Sequence, residues 1–388
     1  MVTGKQNGKI GTGEVKINAP QIRKANRMAI FDAIKKNPEM TKNKLSSSLG
    51  LSRPTVSGIV DELEKSGLIK SKRSNVNTGG RSAMEYEIIS ESYIAAGIQL
   101  SEHHIRCVLV NLSGEIIEKL SVRAKFSADE EYRKEIGNVY KMLLEKANMQ
   151  KEKVSAVGVA VQALTDEDGM KIVYMPNETS VLSKYDQLLK YIPGKKRLFH
   201  DLTALGYNES LKRDRNVFYL SINNHIGGMI LIANQVYDGS NNKAGEVGHM
   251  QLEHGGKQCY CGNKGCFDAY CNTNVLRQCI NGSLDEFFQA VLQKDEKCKK
   301  CLNEYIEYMA DAIFSIRMIF DGTIIIGGEI GRYSQYYLDE LRDLLDRKAF
   351  FPDEYASEYL VADETGEYAI ATGAAMYYCE HVLEFLYE

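Results

Sequence analysis

Gly245-Glu246-Val247-Gly248-His249, followed after nine intervening residues by Cys259-Tyr260-Cys261-Gly262-Asn263-Lys264-Gly265-Cys266-Phe267-Asp268, is the stretch on which the reading of this chain turns. Three thiolates and one imidazole are a closed tetrahedral donor set for Zn²⁺, and Cys₃His sites are structural by type. Cys-x-Cys is tighter than the usual Cys-x₂₋₄-Cys knuckle. Gly255-Gly256, Gly262 and Gly265 supply the turns that fold a short loop round an ion. Cys259, Cys261 and Cys266 supply the thiolates, and His249 and His254 are both candidates for the imidazole. The alternative is a cluster of free thiols.

Working outward, 388 residues suit two or three domains. A composition 44% hydrophobic and 26% charged is ordinary for a soluble globular chain. No stretch approaches the roughly 20 apolar residues of a membrane helix. The opening MVTGKQNGKIGTGEVK has positive charge but no apolar core, so a secretory signal is not expected and the expected address is cytoplasmic. Nine cysteines are too few for a disulfide scaffold, and in a reducing compartment their clustering suggests metal. Cys107, Cys271, Cys279, Cys298, Cys301 and Cys379 read as structural or incidental.

The net charge of −4 hides an asymmetry: residues 1–88 carry +8 and the remainder −12. A basic segment on an acidic body is the electrostatic footprint of a nucleic-acid-binding module. Residues 1–20, rich in Gly, Lys and Asn, suggest a flexible arm. Ile22, Ala25, Ala29, Ile30, Ala33 and Ile34 then form a helical stripe, stopped by Asn37-Pro38. Thr41 can cap a second helix that Gly50 ends, and Ser52 can cap a third, with Pro54 in its first turn. Val56, Ile59, Val60 and Leu63 face inward. Ser52, Arg53, Thr55 and Ser57 remain at the exposed N-terminal end, where small side chains let a recognition helix approach base edges. Gly58 permits close approach to a phosphate. Leu68-Ile69 and Tyr86-Glu87-Ile88 flank a basic, Gly-rich loop, the pattern of a wing. The spacing predicts a winged helix-turn-helix over 21–90 that reads double-stranded DNA through Ser52, Arg53, Thr55 and Ser57 and through Lys72, Arg73 and Arg81 of the wing. The same shape can instead mediate protein contact.

Beyond Ser90, strand patterns (94–98, 105–110, from 116, 154–161, 217–222, 228–232, 323–326) alternate with helical ones near 129–147 and 283–320, giving an α/β body. Here, on Gly245–His249 and Cys259–Asp268, the chain resembles the repressor branch of the ROK family of repressors, open reading frames and sugar kinases. Weaker matches are Pro176-Asn177, His200-Asp201, Gly327-Gly328 and Gly373-Ala374-Ala375. The resemblance implies an actin/hexokinase-like, ribonuclease H-like domain over 91–388. Its small lobe would be about 91–205 plus the C-terminal tail, and its large lobe about 206–374, carrying the zinc loop. It also implies zinc on His249, Cys259, Cys261 and Cys266, and sugar contacts at His200, Asp201, Glu246, His249 and Asp268. One nitrogen of His249 would then hold zinc while the other faces the sugar.

The kinase machinery reads as degenerate. The family's kinases carry Asp-x-Gly-Gly-Thr where this chain has Gln99-Leu100-Ser101-Glu102-His103, and Gly-Thr-Gly-Ile-Gly where it has Asn223-Asn224-His225-Ile226-Gly227. Phosphoryl transfer needs backbone amides and Mg²⁺ around the phosphates, and bulky or anionic residues obstruct both. Asp201, the catalytic base of the kinases, is therefore expected to be vestigial. The sugar side is better kept, although His200 replaces Asn, Asp268 replaces a longer Glu, and Gln162-Ala163 replaces Pro-Gly. The resulting expectation is a repressor of carbohydrate-utilisation genes, not an enzyme, with Zn as cofactor and an unphosphorylated monosaccharide as effector. A homodimer or homotetramer suits palindromic operators. The alternatives are a sugar kinase carrying a DNA module, and a repressor whose pocket is vestigial.

Overall fold

The computed structural model describes residues 19–73, 84–166, 168–175, 182–210, 216–241 and 243–387. Contacts divide the chain into two compact units, with the change at Ser92/Tyr93. Of the arm expected over 1–20, only Ala19 and Pro20 fall within the described residues, and both belong to the first helix.

The first unit runs α1 (Ala19–Lys36), β1 (Met40–Thr41), α2 (Lys42–Leu49), α3 (Arg53–Lys65), β2 (Ile69–Arg73) and β3 (Met84–Ile88). Thr41 Oγ1 accepts the Lys44 amide at 3.2 Å and Ser52 Oγ accepts the Thr55 amide at 3.3 Å. Short hydroxyl side chains thus satisfy amides that the first helical turn leaves without partners. Gly50 closes α2 at φ 65°, where a Cβ would be strained. Leu45, Val56, Ile59, Val60 and Leu63 are buried with Ile30, Phe31 and Ile34 of α1. Ile22 and Ala25, expected on the inward stripe, are exposed. Only the C-terminal half of α1 meets the core, and there Phe31 takes the inward place. β2 and β3 pair antiparallel, Ile69 opposite Ile88 and Arg73 opposite Met84, and β1 adds a third strand on the other edge of β3.

The second unit opens with β4 (Ile94–Leu100), β5 (His104–Asn111), β6 (Ile116–Arg123), α4 (Glu130–Lys146) and β7 (Ala156–Val161). The short pair β8 (Leu164–Thr165) and β9 (Ile172–Tyr174) follows, then β10 (Lys195–His200). Every residue of β4 and β7 is buried, as strands covered on both faces require. After α5 (Asp201–Ser210) a second sheet begins with β11 (Val217–Ile222), β12 (Ile226–Ile232) and β13 (Gln235–Val236). Then come the cysteine loop, α6 (Asp268–Cys271), α7 (Thr273–Ile280), α8 (Leu284–Leu292), α9 (Glu296–Arg317), β14 (Thr323–Gly328), α10 (Leu338–Lys348), α11 (Ala356–Tyr359) and β15 (Leu360–Ala362).

The strand orders are β10-β7-β4-β5-β6 and β13-β12-β11-β14-β15. In each sheet the first three strands form an antiparallel meander, and the fourth and fifth lie parallel to the first. One topology is therefore used twice, which is the two-lobed α/β architecture expected of an actin/hexokinase-like body. The packing of α7 on α9 also brings Cys279 against Cys298 and Cys301, three of the cysteines that look scattered in sequence.

Two helices join the lobes. Leu202 and Leu205 of α5 pack with Val217, Tyr219, Met229 and Leu231 of the second sheet. Ala204 packs the other way, with Ala160, Phe199 and Ala374. The last of these belongs to α12 (Ala369–Glu380), which returns to cover the first sheet before α13 (Val382–Tyr387). The approach is backbone to backbone. A Cβ on Gly97 would stand 1.7 Å from the Ala371 carbonyl oxygen, and one on Gly373 would stand 1.7 Å from that of Ala204.

Candidate functional site

The cysteine loop folds on itself through short antiparallel contacts. Phe267 N–H donates to Met250 O at 2.8 Å, Leu252 N–H to Gly265 O at 2.8 Å, and Cys259 N–H to Asn263 O at 2.9 Å. Gly265 has φ 80°, and a Cβ there would lie 1.7 Å from the Glu253 carbonyl oxygen, so only glycine lets the two arms close. The closure gathers His249, Cys259, Cys261 and Cys266, with all four ligand atoms within 4.8 Å of one another. His254 is not part of the group. The Cys261 and Cys266 sulfurs are 3.8 Å apart, and Cys259 Sγ is 3.9 Å from His249 Nδ1. Zn–S bonds of about 2.3 Å at a tetrahedral angle put sulfurs roughly 3.8 Å apart, whereas a disulfide would need about 2.05 Å. Donor chemistry and spacing both fit a four-coordinate soft-to-borderline cation held by these four residues.

His249 turns Nδ1 toward the thiols, and its Nε2 lies 3.3 Å from the Tyr260 hydroxyl. The second nitrogen, expected to face a sugar, thus meets a side chain of the loop itself. Glu246, one turn earlier, is exposed. Asp268 is used differently from the expectation. Its side chain is 2% exposed, Oδ2 accepts the Ile226 amide at 2.7 Å, and Oδ1 accepts from Asn272 Nδ2 at 3.2 Å. A carboxylate one methylene shorter than glutamate reaches the β11–β12 turn rather than the cleft, and it ties the cysteine loop to that turn.

On the first lobe, β10 ends at His200 and α5 starts at Asp201. His200 Nε2 lies 3.4 Å from Asp201 Oδ1, and the Leu202 amide and the Gln162 side chain also donate toward the carboxylate. Burial nevertheless pushes the Asp201 carboxyl above its ordinary range, because desolvation outweighs these partners. Pro176-Asn177 lies outside the described residues.

The two stretches that stand where the kinases' phosphate loops are expected are each tied by hydrogen bonds within this fold. The β4–β5 hairpin is closed by Ser101 and His104, with the Ser101 amide donating to His104 O at 3.0 Å and the His104 amide to Ser101 Oγ at 3.2 Å. It presents the exposed side chains of Glu102 and His103. In the β11–β12 turn, Asn223 Oδ1 accepts the Glu329 amide at 2.7 Å, and Asn224 Oδ1 accepts from Arg277 Nη1 at 2.9 Å. Arg277 also pairs with Glu329. The two asparagine side chains of the turn are thus engaged by Glu329 and Arg277.

In the first unit, Arg53 is exposed at the start of α3 and Gly58 has open space about it. The Thr55 hydroxyl lies 2.8 Å from that of Ser52, and Ser57 Oγ accepts from Lys42 Nζ at 2.9 Å, so these hydroxyls also make contacts within the unit. Lys72 pairs with Glu87 at 2.9 Å. Arg73 is exposed where β2 ends, and Arg81 and Gly79-Gly80 lie outside the described residues. Among the described residues, no helix is long and apolar enough to cross a membrane.

Sequence reasoning singled out neither Tyr260 nor His225 as a contact. The one signal for Tyr260 is its place between two ligand cysteines. His225 was legible only as a lost glycine.

A DNA-reading head ahead of a duplicated sugar-kinase-like body is the architecture of a transcription regulator built on a kinase fold. The chain belongs to the ROK family, whose profile matches residues 95–380, and residues 23–70 match the winged helix-turn-helix DNA-binding profile. The xylose repressor of Caldicellulosiruptor bescii is 23% identical over 368 residues, covering 87% of this chain and 91% of that protein. A ROK family transcriptional regulator, a homologue of the E. coli MLC protein, superposes with TM-score 0.76 at 19% identity, over 93% of this chain and 96% of that one. A ROK family glucokinase from Streptomyces griseus, solved with glucose and AMPPNP, has TM-score 0.58 at 21% identity, over 73% of this chain and 98% of that one. Regulators and kinases thus share this fold.

Proposed function

We propose that this protein is a zinc-containing transcriptional repressor of carbohydrate-utilisation genes that responds to an unphosphorylated monosaccharide and does not phosphorylate it. The observation that carries the reading is a contrast within one domain. The Cys₃His cluster, Glu246 and Asp201 are kept, while the turn that would cradle phosphates is filled by Asn223, Asn224, Arg277 and Glu329. The name of the xylose repressor to which the chain is similar points the same way. Zinc would hold the loop in shape. Asp201, Glu246 and the His249 ring would supply hydrogen-bond partners for sugar hydroxyls, carboxylates being suited to adjacent hydroxyls. A dimer or tetramer would present paired reading heads to a palindromic operator.

The test is calorimetry of the zinc-loaded protein against a panel of monosaccharides and their phosphates, alongside operator gel shifts and a coupled ADP-release assay. One unphosphorylated sugar should bind, change operator affinity and give no turnover. Glu246→Ala should weaken it about tenfold, the value of roughly one charge-assisted hydrogen bond. Sugar-dependent ADP release that requires Asp201 would overturn the repressor reading.

For DNA, Arg53→Ala should cost about 1–3 kcal/mol at one base position and relax specificity there, while Lys72→Ala weakens all sequences alike. Equal losses on operator and random DNA for Arg53→Ala would remove Arg53 from base reading.

A further inference from the structure

Tyr260 stands where the expected sugar contacts of the second lobe converge. Its hydroxyl is 3.3 Å from His249 Nε2, the ring nitrogen turned away from the thiols. Its ring packs on His225 at 4.4 Å between centroids and on His249 at 5.3 Å. Glu246, Asp268 and Tyr174 are close enough to act on it electrostatically. The clamp is itself anchored, because Asp268 accepts the Ile226 amide and so fixes the turn that carries His225. His225 replaces a glycine of the kinases' phosphate loop. The residue that stands in place of a kinase glycine is therefore the one that packs on the tyrosine. Yet Tyr260 is 40% exposed, so one face is held while the other is free to be displaced.

We propose that Tyr260 sets which sugar this protein admits. Its hydroxyl holds the place of a sugar hydroxyl on His249 Nε2, and its ring takes up room that a hydroxymethyl or N-acetyl substituent would need. An entering sugar must take the His249 hydrogen bond from the phenol and still fit beside the ring. The inference rests on the sugar-binding reading above and adds a size limit to it. A pentose passes, while a hexose or an N-acetylhexosamine meets the ring. Removing only the hydroxyl should remove the competitor for His249, and removing the ring should relax the limit.

The experiment titrates zinc-loaded full-length protein, Tyr260→Phe and Tyr260→Ala with xylose, glucose and N-acetylglucosamine by calorimetry, with metal content measured on each. Wild type should bind the pentose most tightly. Tyr260→Phe should bind the same sugar about tenfold more tightly, the size of one relieved competing hydrogen bond. Tyr260→Ala should shift the ranking toward the larger sugars by about tenfold or more. The inference is overturned if wild type prefers glucose or N-acetylglucosamine to xylose, or if both variants, with metal content unchanged, keep the wild-type affinities and ranking. Sugar binding that is lost in Glu246→Ala but unmoved by the Tyr260 variants refutes the tyrosine's role alone. If neither wild type nor any variant binds a sugar, the sugar-binding reading fails and this inference fails with it.

Discussion

Cys261→Ala should yield a chain that retains far less than one zinc per molecule and melts well below wild type. Cys261 is exposed, in contrast to Cys259 and Cys266, so its removal takes away a ligand and almost no packing. What remains is three donors for an ion that structural sites hold with four. Apparent zinc binding energies in small metal-folded domains are about 10–16 kcal/mol, so even a partial loss amounts to several kcal/mol. The damage should spread beyond the loop. Asp268 ties the loop to the β11–β12 turn, and Phe267 and Tyr270 are buried in the core of the second lobe. Elemental analysis and thermal denaturation, with and without a chelator, check the result. A Cys261→Ala protein with wild-type zinc content and melting behaviour would falsify the metal assignment.

The second large effect is expected at Gly373. A valine there must place its Cβ where the Ala204 carbonyl oxygen already lies, 1.7 Å away, with the Asn208 backbone nitrogen 3.1 Å away. Neither neighbour is a flexible side-chain end, so α5 and α12 have to part along their whole contact. Overpacking typically costs 1–3 kcal/mol, and forcing two backbones apart places Gly373→Val at about 3 kcal/mol or more. Denaturant unfolding followed by circular dichroism measures it. A loss under about 1 kcal/mol would mean the helices are looser than described. Because α5 begins at Asp201, a milder Gly373→Ala protein that still folds should also show altered sugar affinity.

Much of this was legible because it is local. The caps at Thr41, Gly50 and Ser52 depend on residues three or four apart, and the structure places them as the sequence pattern requires. The Cys₃His group was legible because the ligands span only residues 249–266, with glycines where the loop must turn. What could not be read depends on partners distant in sequence. Asp268 was read as a sugar contact because the family resemblance implies a carboxylate there, yet this carboxylate accepts from an amide 42 residues earlier. The contact of Ser57 with Lys42 on the preceding helix was likewise not readable from the pattern of either helix. Tyr260 has only its place between two cysteines to mark it, and its contact with His225 comes from packing across the fold. The inward stripe of α1 was misplaced because periodicity gives a helix face but not how far along the helix a core extends.

The return of α12 to the first lobe sets the order in which the protein can be made. The sheet it covers is built from residues 94–200, but the covering helix is residues 369–380. During synthesis, the DNA-reading unit, all of it but Tyr387 contained in residues 1–92, can fold early on local contacts, whereas the first lobe must hold its apolar face unpaired while the whole second lobe is translated. A chain that stalls, or is cut within the second lobe, would therefore carry a finished operator-binding head on a body unable to respond to its ligand. Such fragments would carry a DNA-reading head without a body able to respond, so a cell that leaves truncated chains undegraded should show operator occupancy that no longer follows the sugar.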